Sequence, residues 1–293
     1  MEQAIPKAAA LIEALGYIQK FRGKRVVVKM GGTLMDDPKA EEKILTDVLF
    51  MATVGIHPIV VHGGGKEISR ALAESGFETR FVQGRRYTDK NTLTVAEHIL
   101  CNVINARLVA ALNRMGGKAM GLHSLSSGVL SGEQVFLQEE GRRIDVGLVG
   151  KVTHVNAELL RVLCNAGTVP VIAPIAYALG GGKLNVNADE VAGEVAAAVA
   201  ADKLVVVSDT HGIRRDLNDP NSQISEVTGA QIKQLIDEGV ISGGMLPKVA
   251  ACLRALEGDV GRAHIIDGRI DHALLLEIYT DKGIGTLITK DKP

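Results

Sequence analysis

The apolar positions of this chain fall into short β-branched runs separated by longer stretches with helical spacing. Val26, Val27 and Val28 lead through Gly31 and Gly32 into a helix-patterned stretch from about Pro38 to Val54. Ile59, Val60 and Val61 lead through Gly63, Gly64 and Gly65 into another, Lys66 to Ser75. Strand, glycine turn and helix, repeated, mark an α/β protein whose parallel sheet is covered on both faces. Between Leu93 and Met115, Val95, Ile99, Val103 and Leu108 predict a long helix, stopped by Gly116 and Gly117. A Ser- and Gly-rich stretch to about Gly150 reads as hairpin-like, and a helix follows from Ala157 to Asn165. Val169 to Gly182 reads as one strand entering a flexible turn.

The alternation then resumes. Asp189 opens an alanine-rich helix to Ala201, Leu204 to Val207 forms a buried strand, and Ala230 to Glu238 a helix. Pro247 suits the first turn of a helix through Leu256. His264 to Ile266 is a strand, and Ala273 to Tyr279 the last helix. Leu11, Ile12, Leu15 and Ile18 mark an amphipathic helix over residues 7–21, ahead of the first strand. The expected segments are an N-terminal extension helix (1–21), an N-lobe (22–180) and a C-lobe (181–293), with the lobe boundary near Gly180 to Gly182.

Composition narrows the class. With 293 residues, 46% hydrophobic and 23% charged, the chain is an ordinary globular protein of two domains or two lobes. A net charge of −1 speaks against nucleic acid or an anionic membrane surface as partner. No apolar run approaches the roughly 18 residues of a membrane span, and Glu2, Lys7 and Glu13 interrupt what a secretory signal would keep apolar. Cys101, Cys164 and Cys252 are odd in number and widely spaced, so neither a disulfide framework nor structural zinc is expected. A cytosolic protein is the expectation.

Candidate chemistry begins at the glycines. In an open parallel sheet, ligands bind beyond the carboxyl ends of the strands. VVVKMGG (26–32) and VVHGGG (60–65) place glycines there, where backbone N–H groups and a helix N-terminus can meet an anion. One such loop would be only a tight turn; two of them, with Lys29 beside the first, favour anion binding. Familiar nucleotide fingerprints are missing. Gly65-Lys66 is followed by Glu67 in place of Ser or Thr, and Ile68 stands where a dinucleotide loop needs glycine. The eight histidines are scattered, and no side-chain metal site is expected. In NVNADE (185–190) Asp189 reads first as a helix cap. SGGMLPK (242–248) delivers Lys248 into a helix's first turn, against the helix dipole, a local conflict of the kind found at functional sites. GRRYTD (84–89) is an arginine pair in a loop, weak evidence by itself.

Together with VGKV (149–152) and SDTHGI (208–213), these strings occur in one order that resembles the amino-acid kinase family along nearly the whole chain. The resemblance implies an open αβα sandwich of two lobes, the N-lobe holding an acylated amino acid and the C-lobe ATP. It is closest to the branch that moves the γ-phosphoryl group of MgATP onto the γ-carboxylate of N-acetyl-L-glutamate, in arginine synthesis. It implies Lys29 and Lys248 as the cations flanking the transferred group, with Asp189 organising them, and Gly31, Gly32 and Gly64 donating N–H groups to phosphates. Gly64, Gly65, Arg86 and Asn185 would select the acceptor, and Asp209, Gly212 and Ser242 would contact the nucleotide. Mg²⁺ would be held largely by phosphate oxygens and water.

The N-terminal helix and LLLEIYTDKGIGT (274–286) resemble the arginine-inhibited hexameric branch, a trimer of dimers. Tyr17, His264, Glu277 and Gly283 would form its arginine pocket, although Glu277 reads equally as an exposed helical carboxylate. A nitrogen-signalling protein is among the partners this branch admits. HSLSSGVLSGEQ (123–134) departs from the short Gly-Lys-Asp hairpin of relatives, and His211 from a usually small or apolar position. Two other readings remain: a kinase of this fold acting on glutamate, aspartate, carbamate or UMP, and a non-catalytic sensor of arginine or nucleotide.

Overall fold

The computed structural model describes residues 4–123, 127–139, 141–216, 218–279 and 283–291, with 4–8, 10, 11, 32, 33 and 220 described by backbone alone. Helix α1 (Ala4–Phe21) precedes strand β1 (Arg25–Met30), which a 3₁₀ turn (Gly32–Asp36) joins to α2 (Pro38–Thr53). Asp37 caps α2 by accepting from the Lys39 N–H, and Pro38 fills the first helical position, where no N–H is needed. β2 (His57–His62) leads into α3 (Gly65–Glu74), and the small hairpin β3 (Phe81–Val82) and β4 (Arg85–Arg86) follows. The long helix runs as α4 (Lys90–Glu97), a π-helical stretch (His98–Asn105) and α5 (Ala106–Arg114). It is long and apolar enough to cross a bilayer by composition, yet its Leu100, Ile104, Leu108 and Leu112 are buried in the core.

The stretch read as hairpin-like does hold a hairpin, with a strand of the main sheet ahead of it. β5 (Ala119–Leu122) joins the main sheet, and β6 (Leu130–Glu139) with β7 (Arg142–Val155) makes a long antiparallel hairpin. Residues 124–126 of the divergent segment lie outside the described residues, and 130–134 belong to β6. After α6 (Ala157–Asn165), the run expected as one strand divides at Pro174 into β8 (Val169–Ile172) and β9 (Ile175–Ala178). β9 and β10 (Lys183–Val186) close a four-stranded barrel with β6 and β7. The turn at 180–182 therefore joins two strands of one barrel. Then come α7 (Ala188–Ala198), β11 (Lys203–Ser208), β12 (Ile213–Arg214), β13 (Gln223–Ile224), β14 (Glu226–Thr228), α8 (Gly229–Asp237), α9 (Met245–Glu257), β15 (Arg262–Asp267), α10 (Ala273–Ile278) and β16 (Thr286–Thr289).

The main sheet runs β14-β16-β15-β11-β1-β2-β8-β5, parallel at every pairing except β15 with β16. This is the mainly parallel sheet expected, and helices cover both faces. Val26, Val28 and Met30 pack on one face with Ile44, Val48, Leu72 and Leu274; Val27 packs on the other with Leu160, Val191, Val249 and Cys252. Because side chains alternate along a strand, Lys29 shares the face of Val27, toward α7 and α9.

Candidate active site

β1 lies at the centre of the sheet, with Lys29 in register with Val61 and Val206. Its ammonium is buried and sits 2.8 Å from Asp189 Oδ1, an ion pair whose angle leaves that oxygen outside a regular hydrogen bond. Asp189 does not cap α7, contrary to the plainer sequence reading. Asn187 does, accepting from the Asp189 N–H at 2.7 Å and the Glu190 N–H at 3.4 Å. That leaves the Asp189 carboxylate free to face Lys29.

Lys248 reaches the same place through helix packing. A Cβ on Gly193 would lie 2.7 Å from the Ala251 carbonyl oxygen, and one on Gly258 only 2.3 Å from Ala197 Cβ. The two helices therefore touch backbone to backbone and run in the same direction. One turn before the first contact, α7 carries Asp189 and α9 carries Lys248. Burial holds Lys248 below the ordinary lysine range; Asp189 and Asp209 oppose that, and Lys29 adds to it. Lys248 Nζ donates to the Gly244 carbonyl at 2.8 Å. Two cations and one carboxylate, 219 positions apart at the extremes, come within electrostatic reach of one another.

Beside them opens a cavity of about 370 Å³ lined by Lys29, Gly31, Gly64, Gly65, Arg86, Asn185 and Asp189, among others. The four acceptor-selecting residues expected from sequence all meet here. Arg86 Nη2 donates to the Gly65 carbonyl at 2.7 Å and to Ser69 Oγ at 2.9 Å, with the guanidinium over the Phe81 ring. Burial lowers the Arg86 pKa, the cost of keeping a charge ready in a sheltered wall. Asn185 Nδ2 donates to Thr88 Oγ1 at 3.2 Å. Ile68, Leu100, Val149 and Pro174 supply an apolar side to the same cavity.

Gly31 is tight against Lys29: an added Cβ would stand 2.4 Å from Nζ and 2.9 Å from Cε. Gly31→Ala is therefore expected to push the ammonium away from Asp189 while leaving the fold intact. A displacement near 1 Å corresponds to about a 10²-fold loss of turnover. Initial rates together with a melting curve check it; parent-like rates would remove Gly31 from the machinery.

The expected nucleotide contacts divide. Gly31 lies with the acceptor cavity. Gly212 and Ser242 line a separate cavity of about 220 Å³ with Thr210, His211, Met245 and Arg269. Gly32 starts the 3₁₀ turn directly after Gly31. Asp209 is close enough to influence both Lys248 and Arg269. His211 Nδ1 lies 2.9 Å from the buried Asp267 carboxylate, which Arg269 also grips at 2.6 Å.

Residues 24–267 match the description of the amino acid kinase family. The chain belongs to that family. It is 48% identical to the acetylglutamate kinase of Heliobacterium modesticaldum over 99% of this chain and 100% of that one. With the acetylglutamate kinase of Methanocaldococcus jannaschii it shares 45% identity over 99% of each. The N-acetylglutamate synthase of Neisseria gonorrhoeae, solved with coenzyme A and N-acetyl-glutamate, superposes at a TM-score of 0.85 and 25% identity. That match covers 98% of this chain and 64% of the longer synthase. Carbamate kinase from Giardia lamblia bound to AMP-PNP shares the fold, with a TM-score of 0.65 and 14% identity over 92% of this chain and 99% of that one.

A second cluster lies at the far end of β15 and α10 in this member of the family. His264 Nδ1 and Glu277 Oε1 are 2.5 Å apart, and both residues are buried, so Glu277 is not an exposed helical carboxylate. Burial raises the Glu277 carboxyl, but His264, the Ile284 N–H and Lys203 outweigh it and hold it below its usual range. Burial also lowers His264 and pushes Lys203 down to about 8. Gly283 lies against the Glu277 carboxylate, where a Cβ would be 2.8 Å from Oε1. Tyr17 of α1 packs edge-on to Tyr279 at 6.3 Å. Three of the four residues expected together, His264, Glu277 and Gly283, are thus neighbours, and Tyr17 meets Tyr279, two positions beyond Glu277. Lys203 and Phe21, which the sequence reading missed, join them, with Lys203 Nζ 4.8 Å from the centre of the Phe21 ring.

Proposed function

We propose that this chain is a kinase that transfers the γ-phosphoryl group of ATP to the γ-carboxylate of N-acetyl-L-glutamate, a step of arginine synthesis. The convergence of Lys29, Asp189 and Lys248 beside the Arg86 cavity carries this reading. Phosphoryl transfer asks little covalent chemistry of a protein; alignment and neutralisation of charge do most of the work. Acceptor and donor are both anionic, and the two ammonium groups offset their repulsion. Asp189 serves to hold the lysines apart and in place, since a carboxylate nucleophile has no proton to remove. Arg86 suits the substrate's α-carboxylate through its planar fork of donors.

A bound Mg²⁺ would supply neutralisation of phosphate charge. Among the described residues no group of three His, Cys, Asp or Glu is placed to hold a metal. Asp189 is engaged with Lys29, which fits an ion held through phosphate oxygens and water. A coupled ADP-release assay with N-acetylglutamate, glutamate, aspartate, carbamate and UMP tests the function. Turnover with N-acetylglutamate is expected. Turnover with glutamate alone, or with none of the five, overturns it. A sensor without catalysis would have no use for two lysines aimed at one phosphoryl group.

The Glu277 cluster supports inhibition by arginine, with the carboxylate receiving the guanidinium and α1 forming one wall. The exposed Ile12 and Leu15 on α1 support its packing against another subunit of a hexamer, a trimer of dimers. Division into an acyl-amino-acid lobe and an ATP lobe, with the boundary after β10 because residues 180–182 join two strands of one barrel, a cytosolic location and association with a nitrogen-signalling protein belong to the same reading. Glu277→Gln is expected to weaken arginine inhibition about 10- to 100-fold, the value of a charge-assisted contact, with uninhibited turnover retained. Removal of residues 1–20 should abolish both inhibition and the hexamer. A truncated hexamer that still responds to arginine in sedimentation and rate assays rules this regulation out.

A further inference from the structure

The hairpin that carries Arg86 has little of its own to hold it. Each strand has two residues, its turn takes positive φ at Gln83 (46°) and Gly84 (77°), and Phe81 at its base is 56% exposed. A two-stranded ribbon of this size is marginal in water. From one side Arg86 ties it to α3 through Gly65 and Ser69. From the other, Arg85 Nη2 donates to Glu190 Oε2 at 3.3 Å. The second oxygen of Glu190 accepts the Val152 N–H of β7 at 3.2 Å. Glu190 directly follows Asp189 in the first turn of α7. One carboxylate therefore joins the Arg86 hairpin, the barrel and the helix of the catalytic Asp189.

Arg85 lines the acceptor cavity and also a neighbouring cavity of about 510 Å³ between the hairpin and α9. The pair is partly shielded, with side chains 29% and 24% exposed. Burial raises the Glu190 carboxyl, and Arg85 and Val152 oppose it. Arg85 Nη1 is shielded from water yet has no hydrogen-bond partner. Its fork on Glu190 is half made.

We propose that Arg85 and Glu190 form a latch that holds the β3–β4 hairpin, and Arg86 with it, closed over the acyl amino acid. Both are positioning residues, and the latch rests on Arg86 being the anchor of the substrate carboxylate. A substrate that binds only under a closed hairpin has its apparent dissociation constant divided by the closed fraction. Loosening the latch therefore raises KM for N-acetylglutamate and leaves chemistry in the closed complex alone.

Arg85→Gln and Glu190→Gln are each expected to raise that KM about five- to tenfold, or about 1.0–1.4 kcal/mol. kcat, KM for ATP and Tm should stay near the parent, and Arg85→Lys should restore much of the loss. The double variant should be no worse than either single one, because both break the same contact. Unchanged KM, multiplying effects in the double variant, or kcat and KM for ATP moving in step would overturn the latch. Arg86→Gln runs alongside. If it raises KM while the Arg85 and Glu190 variants are silent, the latch alone falls; if it has no effect, the anchor falls and takes the latch with it.

Discussion

Lys248→Ala should lower kcat by about 10²- to 10³-fold, the usual loss when one preorganised donor to a developing charge is removed. Lys248 is half-buried beside Lys29 and Asp189, with its pKa lowered by burial. It sits in the first turn of α9, where a cation opposes the helix dipole. Alanine there removes an unfavourable placement along with the charge proposed for catalysis, so Tm should hold or rise slightly. kcat and kcat/KM should fall together, the pattern of an interaction made only in the transition state. The same burial gives a pH prediction. Lys248 acts as a cation, so turnover is present below its pKa and lost as pH rises through it. Because that pKa lies below the ordinary 10.5, the alkaline limb of kcat should lie below the normal lysine range. Lys248→Arg should recover part of the rate and move the limb upward, because a guanidinium keeps its charge. Parent-like turnover in the alanine variant, with phosphoryl transfer confirmed, would end the role assigned to Lys248.

The legible parts of the sequence were those with strong local signals. β1, β2 and β11 are continuous apolar runs because both sheet faces are covered. The glycine turns after β1 and β2 marked the edge where the Arg86 cavity opens. The barrel was hidden because β6 and β7 are long, partly exposed and mostly polar along their length. Pro174 did carry a signal for the break between β8 and β9, since proline cannot donate in a central strand. The π-helical stretch had none: its helical spacing is unbroken, and the extra residue per turn shows only in where Asn105 lands, donating to the Val171 carbonyl at 2.9 Å and contacting His62 Nε2. At the site, Lys29, Lys248 and Asp189 and their meeting were expected from the resemblance, but the packing that brings them together was not legible. It depends on Gly193, one glycine in an alanine-rich helix, letting α9 approach. Asn187 was a findable cap two residues ahead of Asp189, whereas the Arg85–Glu190 contact spans 105 positions and no local pattern announces it.

Asp189→Asn separates the organising role of this residue from any role as a base. Asp189 and Lys29 are 6% and 5% exposed, so the substitution strands a buried ammonium without its counter-charge. Breaking a buried pair in this way costs about 3–5 kcal/mol of stability, which denaturant melts would read directly. Turnover should fall about 10²-fold as both lysines lose the group that fixes their spacing. ATP affinity, however, should hold or tighten, because removing a carboxylate lessens repulsion of the phosphates while the lysines remain. ATP should therefore raise the Tm of the variant by more than it raises that of the parent, bound phosphate standing in for the missing charge. A base would behave differently: its loss would leave stability and nucleotide linkage unmoved. A variant with normal Tm, an unaltered ATP-induced shift and slow turnover would displace the charge-organising mechanism.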